Sequence, residues 1–277
     1  MTTRDSSVDY HTLEAAEKNV HTQEHEVSPV DSAPKPFRFA IQHVHVRECL
    51  SEFLSTFMYV AFGLGVAAQA TLSKGAAGNF TSVTIAHMNP AITLALACVG
   101  VFPWKKVPGY VVSQTLGAFT ASLMVYVMFY QLLHVADPMQ TKATATIFHT
   151  HPHPSVNHSA AFLAEMLATM VLLIGILALI DEKNRSTTVA SFPSCVGVLV
   201  IGIGMAFSLI SSAALNPARD LGPRIMLSMV GYDGVFSADG YYFWVPLVAP
   251  VVGAVVGVYL LFVMGHHPAK VERHGFF

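Results

Sequence analysis

Charge is scarce in this chain, and paired cysteine chemistry is missing from it. Of 277 residues only 32 are Asp, Glu, Lys or Arg, or 12%, about half the share in an ordinary globular protein. Thirteen of them sit in residues 1–48, and only 16 are spread over the 217 residues from Cys49 to Gly265. Windows that long without charge exclude a soluble enzyme and are what a lipid interior selects. The 15 basic and 17 acidic residues nearly balance, so no basic field exists to neutralise phosphates, and nucleic acid is excluded as a partner. Cys49, Cys98 and Cys195 each sit in an apolar run, which excludes a disulfide framework and a paired metal-ligand spacing. No nucleophile–base pair stands in the apolar runs either, so neither an enzyme nor a metal or cofactor site is expected.

Apolar runs are what remains. Leu50–Leu72, Pro108–Val135, Ala160–Ile180, Phe192–Ala213 and Tyr241–Gly265 each reach the ~20 residues that cross a hydrocarbon core as a helix. A sixth stretch, Val83–Phe102, is about as long but carries His87, Asn89 and Pro90 near its start. The reading is an all-α membrane protein. Residues 1–47 form a polar tail without a signal-peptide core, 48–265 the membrane domain, and 266–277 a second tail. Basic residues cluster at Lys35/Arg38/Arg47, Lys105/Lys106, Lys183/Arg185 and Lys270/Arg273. All four fall on one side only if the chain also crosses within Val83–Phe102, and the positive-inside rule makes that side cytoplasmic. Both termini are then inside, and the sequons at Asn79 and Asn157 face outward as candidate glycosylation acceptors.

The chain repeats itself. Glu52-Phe-Leu-Ser-Thr56 matches Glu165-Met-Leu-Ala-Thr169, and His87-Met-Asn-Pro-Ala91 matches Ala214-Leu-Asn-Pro-Ala218. Repeat one runs from 48 to 135 and repeat two from 160 to 265, with the halves inverted as in many channels and transporters. The spacing differs, however: Glu165 to Asn216 leaves room for the span Phe192–Ala213, whereas no such span fits between Leu72 and Asn89. Repeat one is short by a transmembrane helix.

Asn before Pro is a helix start, because Asn caps and Pro at the first position gives up no hydrogen bond. A single such tripeptide is most often only that. Two at repeat-equivalent positions imply two short half-helices meeting N-terminus to N-terminus near mid-membrane, their positive dipole ends facing each other. The amides of Asn89 and Asn216 would donate into a pore. The irregular backbone at His87, Met88, Ala214 and Leu215 would offer carbonyls, which lipid tolerates only where backbone lines a cavity. Hydroxyl-bearing neutral solutes satisfy such a lining, and cations are repelled by the dipole ends.

Three other features have two readings each, and a fourth has one. Arg219, one turn beyond Asn216, is either a functional pore cation or an ion-pair partner of Asp220. Glu52 and Glu165 either couple ions or satisfy the backbone before each Asn-Pro-Ala, and their symmetry favours the latter. The His149/His151/His153/His158 group on an outer loop reads as solvated rather than metal-binding, with scope for pH tuning near 6–7. Gly253-Ala-Val-Val-Gly257 permits close helix packing.

His87-Met-Asn-Pro-Ala-Ile-Thr93 and Leu215-Asn-Pro-Ala-Arg-Asp-Leu-Gly-Pro-Arg224 resemble the paired signatures of the major intrinsic protein (aquaporin) family. The resemblance covers about residues 47–265. Asp220 after Arg219 and the pair Pro246-Leu247 resemble its glycerol-conducting branch, the aquaglyceroporins. The resemblance implies a right-handed bundle with inverted repeats, two Asn-Pro-Ala half-helices (Asn89-Pro90-Ala91 and Asn216-Pro217-Ala218) and a truncated first repeat. It further implies a selectivity constriction at Arg219, Gly204 and Ala213, where small residues leave room for a polyol. The constriction's usual aromatic lies on the second helix, which looks deleted here. Implied too are glycerol and water as permeants and a homotetramer, or an assembly with a full-length channel, in the plasma membrane. Rival readings are a non-conducting truncated subunit and, less favoured, an ion-coupled transporter.

Overall fold

The chain is described here from a computed structural model covering residues 41, 43–74, 88–181, 188 and 190–265. Apart from Ile41, all of them belong to the unit His43–Phe277. Asn79, His87 and the first residues of the Val83–Phe102 stretch lie outside the described residues.

Helix α1 runs Val44–Leu72, α2 Pro90–Cys98, α3 Val107–Ala136 and the short α4 Lys142–Ala145. They are followed by α5 His158–Ile180, α6 Phe192–Ser211, α7 Pro217–Met229, the short α8 Ala238–Tyr241 and α9 Trp244–Val263. Five of the described helical stretches are long and apolar enough to cross a bilayer, namely Val44–Leu72, Trp104–Ala136, His158–Ile180, Phe192–Ser211 and Ala238–Val263. Local signals set their starts. The Asn157 side chain accepts the Ala160 N–H at 2.9 Å to cap α5, and proline stands in the first turn of α3 and α6, where its missing N–H costs nothing. Helix α1 begins four residues earlier than the expected boundary at 48. His43 caps it, and Lys106 donates to Glu48 at 2.7 Å across to the start of α3.

Of the candidate sixth span Val83–Phe102, residues 88–102 are described, and there the helix is Pro90–Cys98, about 14 Å at 1.5 Å per residue, less than half of a ~30 Å hydrocarbon core. The chain nevertheless turns back between α1 and α3, because those two helices run parallel. A Cβ on Gly109 would meet His45 and Cys49, and one on Gly117 would meet the Phe53 carbonyl at 2.4 Å, so the positions advance together. The second half repeats the arrangement. A Cβ on Gly253 would lie 2.0 Å from the Met166 carbonyl and one on Gly257 3.0 Å from that of Met170, which makes α5 and α9 a parallel pair in near-backbone contact. Small residues at such crossings replace the hydrophobic drive that lipid does not supply.

One partner is unmatched. Helix α6 seats on α5 where a Cβ on Gly175 would touch Leu199 at 2.4 Å. The repeat-equivalent position on α1, Phe62, is 53% exposed. Helix α5 buries two adjoining columns, Ala161/Glu165/Ala168/Leu172 and Ala164/Thr169/Leu173/Leu177 among them. Helix α1 buries one, Glu52/Thr56/Val60/Leu64/Ala68. Among the described residues no helix of repeat one covers this face of α1.

Candidate functional site

The site grows from two caps of nearly identical shape. Asn89 sits at φ −149°, ψ 113° and accepts the Ala91 N–H at 2.9 Å. Asn216 sits at φ −148°, ψ 112° and accepts the Ala218 N–H at 2.9 Å and the Arg219 N–H at 3.4 Å. Pro90 and Pro217 open the two half-helices α2 and α7. The residue before each Asn is left-handed, with φ 43° at Met88 and 57° at Leu215, a strained state for side chains of this size. That twist aims their carbonyls across the molecule.

Each carbonyl is met by the opposite asparagine. Asn89 Nδ2 donates to the Leu215 carbonyl at 2.7 Å, and Asn216 Nδ2 donates to the Met88 carbonyl at 2.6 Å. Residues more than 120 positions apart in sequence thus hold the two half-helices head to head by an exchanged pair of bonds. An amide has two N–H groups, so each asparagine keeps one beyond this exchange. Both caps are almost fully buried, at 4% and 3% exposure.

Beneath each loop lies a carboxylate. Glu165 accepts the Ala214 N–H at 2.7 Å and the Leu215 N–H at 2.9 Å. Glu52 accepts the Met88 N–H at 3.0 Å and is bridged by Gln114, whose Nε2 donates to Glu52 at 2.7 Å and to Thr93 at 3.1 Å. Removing a carboxylate here would orphan buried backbone donors, at about 1–3 kcal/mol each.

Outside the caps lies Arg219, half-buried, donating from Nη1 to the Phe148 carbonyl at 2.9 Å. Gly204 on α6 has open space where a Cβ would stand. Ala213 is left-handed at φ 46°, next to Ser212, whose hydroxyl donates to the His151 carbonyl at 2.7 Å. Of the two readings of Arg219, the ion pair with Asp220 is not what forms. Adjacent residues point to different faces of a helix, and Asp220 turns inward to Arg224, one turn on, at 2.5 Å, both fully buried. Of the four histidines His153 is exposed, as the solvated reading expects, His151 and His158 are half-buried, and His149 is buried. Burial, reinforced by Arg224 and opposed by Asp220, pushes His149 down to about 4. Burial, with Lys142 nearby, lowers His151 as well. His149 therefore does not titrate near 6–7. No group of three or more His, Cys, Asp or Glu that could hold a metal occurs among the described residues.

Gln114, Thr93, Thr150 and Arg224 were not singled out from sequence. Gln114 carried a signal, a polar group in an otherwise apolar helix, Arg224 shares its half-helix with Arg219 and Asp220, and Thr93 and Thr150 are ordinary residues given a role only by the fold.

Asn157 caps α5 on an exposed turn.

The profile of the Major intrinsic protein family matches residues 76–261. Aquaglyceroporin-2 of Rhizophagus irregularis is 39% identical over 234 residues, covering 76% of this chain and 74% of its own. Human Aquaporin-10 is 38% identical over 261 residues, covering 84% and 86%. Since 84% of 277 residues is about 233, some 28 of those 261 aligned positions lack a counterpart here, close to the length of one ~20-residue span with its connection. The X-ray structure of the aquaglyceroporin from Plasmodium falciparum superposes with TM-score 0.68 and 31% identity, covering 78% of this chain and 95% of that one. With two inverted repeats, a pair of head-to-head half-helices and these relatives, the chain belongs to the major intrinsic protein family.

Proposed function

We propose that this multi-pass membrane protein is a passive channel for glycerol and water. The observation that carries the reading is the exchanged pair of asparagine–carbonyl bonds at mid-bundle, 2.7 and 2.6 Å. It sets two positive helix ends against each other and leaves amide donors and loop carbonyls to replace a solute's hydration. Neutral hydroxyl compounds are accepted, and cations meet the dipole ends and Arg219. Arg219, Gly204 and Ala213 form the selectivity constriction, and the absence of a bulky side chain at the latter two suits a three-carbon polyol. Met88 and Leu215 supply lining carbonyls, joined by Ala214, while Glu52 and Glu165 hold the loops and Asp220 supports the outer mouth.

The chain resides in the plasma membrane with both termini cytoplasmic, carries glycan at Asn157 or Asn79, and assembles as a homotetramer or with full-length channels. Vesicles containing it should take up glycerol faster than empty vesicles, at rates that do not change when Na⁺ or H⁺ gradients are imposed. A gradient requirement would favour coupled transport. A second reading, a non-conducting truncated subunit, is favoured by the uncovered face of α1 at Phe62, and uptake no faster than in empty vesicles would select it.

A further inference from the structure

We infer that the segment Phe148–Thr150 is a strap that positions Arg219, and that the buried Asp220–Arg224 pair exists to fasten it. This rests on the reading of Arg219 as the constriction cation.

Asp220 has no bond to its neighbour Arg219 among the described residues. Its Oδ1 accepts the Thr150 N–H at 2.7 Å and the Thr150 hydroxyl at 2.5 Å. Its Oδ2 accepts Arg224 Nε at 2.5 Å. Arg224 in turn reaches over the strap: Nη2 donates to the Thr150 carbonyl at 2.7 Å and Nη1 to the Val235 carbonyl at 2.7 Å. Thr150 is therefore gripped at its N–H, its hydroxyl and its carbonyl by one ion pair on α7. His149 Nδ1 donates to the same carbonyl at 3.0 Å. Thr150, His149 and Phe148 are 1%, 2% and 0% exposed.

Two residues before this grip, the Phe148 carbonyl accepts Arg219 Nη1 at 2.9 Å. Arg219 sits on the same half-helix as Asp220 and Arg224, one residue before the first and five before the second. The result is a closed circuit: helix α7 holds the strap through its inward face and receives from the strap a fixed acceptor for its pore-facing guanidinium. A free arginine side chain has about 2 kcal/mol of rotamer freedom to lose, and a charge-assisted bond to an immobile carbonyl confines it. Thr150 touches neither solute nor Arg219, so it is a positioning residue.

Thr150→Val removes the hydroxyl bond without changing volume or leaving a charge unpaired, and Thr150→Ser retains it. In vesicles, the ratio of methylammonium to glycerol flux should rise about tenfold in Thr150→Val, the scale of losing one hydrogen bond to a charged group, and stay at the parent value in Thr150→Ser. Added to Arg219→Val, the Thr150→Val change should have no further effect, since both act through one guanidinium. A ratio unchanged by Thr150→Val, or one that multiplies with that of Arg219→Val, overturns the proposal. Hydrogen exchange in the detergent-solubilised chain reads the strap without any flux. Amides 148–151 should exchange faster in Thr150→Val than in the parent or in Thr150→Ser, and equal exchange overturns the fastening. If Arg219→Val itself leaves the flux ratio unchanged while exchange responds to Thr150→Val, the constriction reading fails and the fastening stands.

Discussion

At the scale of single residues, side-chain direction decides more than residue type does. Asp220 follows Arg219 directly, yet it bonds Thr150 and Arg224 instead, because a step of one residue turns about 100° around a helix. His149 shows the same dependence on surroundings. As a loop histidine it reads as solvated, but it is 2% exposed and held at about 4 by burial and by Arg224. Its folded value lies below the ordinary ~6.5, so the unfolded chain binds the proton first as pH falls. Stability is then unaffected above pH ~6.5 and declines through the window from there to about 4, by about 3 kcal/mol in all. Thermal unfolding at pH 7.5 and pH 4.5 should show a larger drop in Tm for the parent than for His149→Gln; equal drops would remove His149 from the acid response. The residues that name the site were legible because Asn and Pro have special backbone roles. Thr150 and Thr93 were not, since nothing but tertiary proximity distinguishes them from any other threonine.

At the scale of helices, two glycines with the same composition have opposite consequences. A Cβ at Gly253 would stand 2.0 Å from the Met166 carbonyl, whereas one at Gly63 would meet nothing within 4 Å. Gly253→Ala should destabilise by about 3 kcal/mol, at the upper end of overpacking, because the obstacle is backbone and cannot rotate away. Gly63→Ala should be neutral or gain up to about 1 kcal/mol from helix propensity. Denaturant titration of the purified chain measures both, and similar shifts for the two would deny that α5 and α9 are in backbone contact. Length and apolar content alone marked five spans, and all five are helices. Helix ends were less legible: α1 starts at Val44 because His43 and Glu48 find partners there, one of them 58 residues away. Within the stretch Val83–Phe102, the described part holds a nine-residue half-helix, Pro90–Cys98, packed among helices, which its length and apolar content alone did not distinguish from a span.

At the scale of the whole molecule, the inverted repeat explains both what is built and what is lacking. Parallel pairs α1/α3 and α5/α9 flank the two half-helices, and among the described residues two large apolar cores stand beside a small one between α5 and α9. One large core joins α1, α3 and α7, the other α2, α5, α6 and α9. Each half-helix is packed mainly by the opposite repeat's partner, so neither repeat completes its own loop alone. Among the described residues only the second repeat has a helix in the role of α6. Inserting about 20 apolar residues after Ile85, the length of one span, should cover the face around Phe62 and raise both yield and glycerol flux severalfold. Unchanged yield and flux would mean that the five-span chain is complete as it stands. The most direct test lies at the meeting of the caps. Glycerol uptake and proton leak are compared in vesicles for the parent, Asn89→Asp and Asn216→Asp. Each aspartate removes a donor and places a negative charge between two positive helix ends, so glycerol flux should fall and proton leak rise in both variants alike. Parent-like behaviour in either variant would contradict a shared conduit between the half-helices.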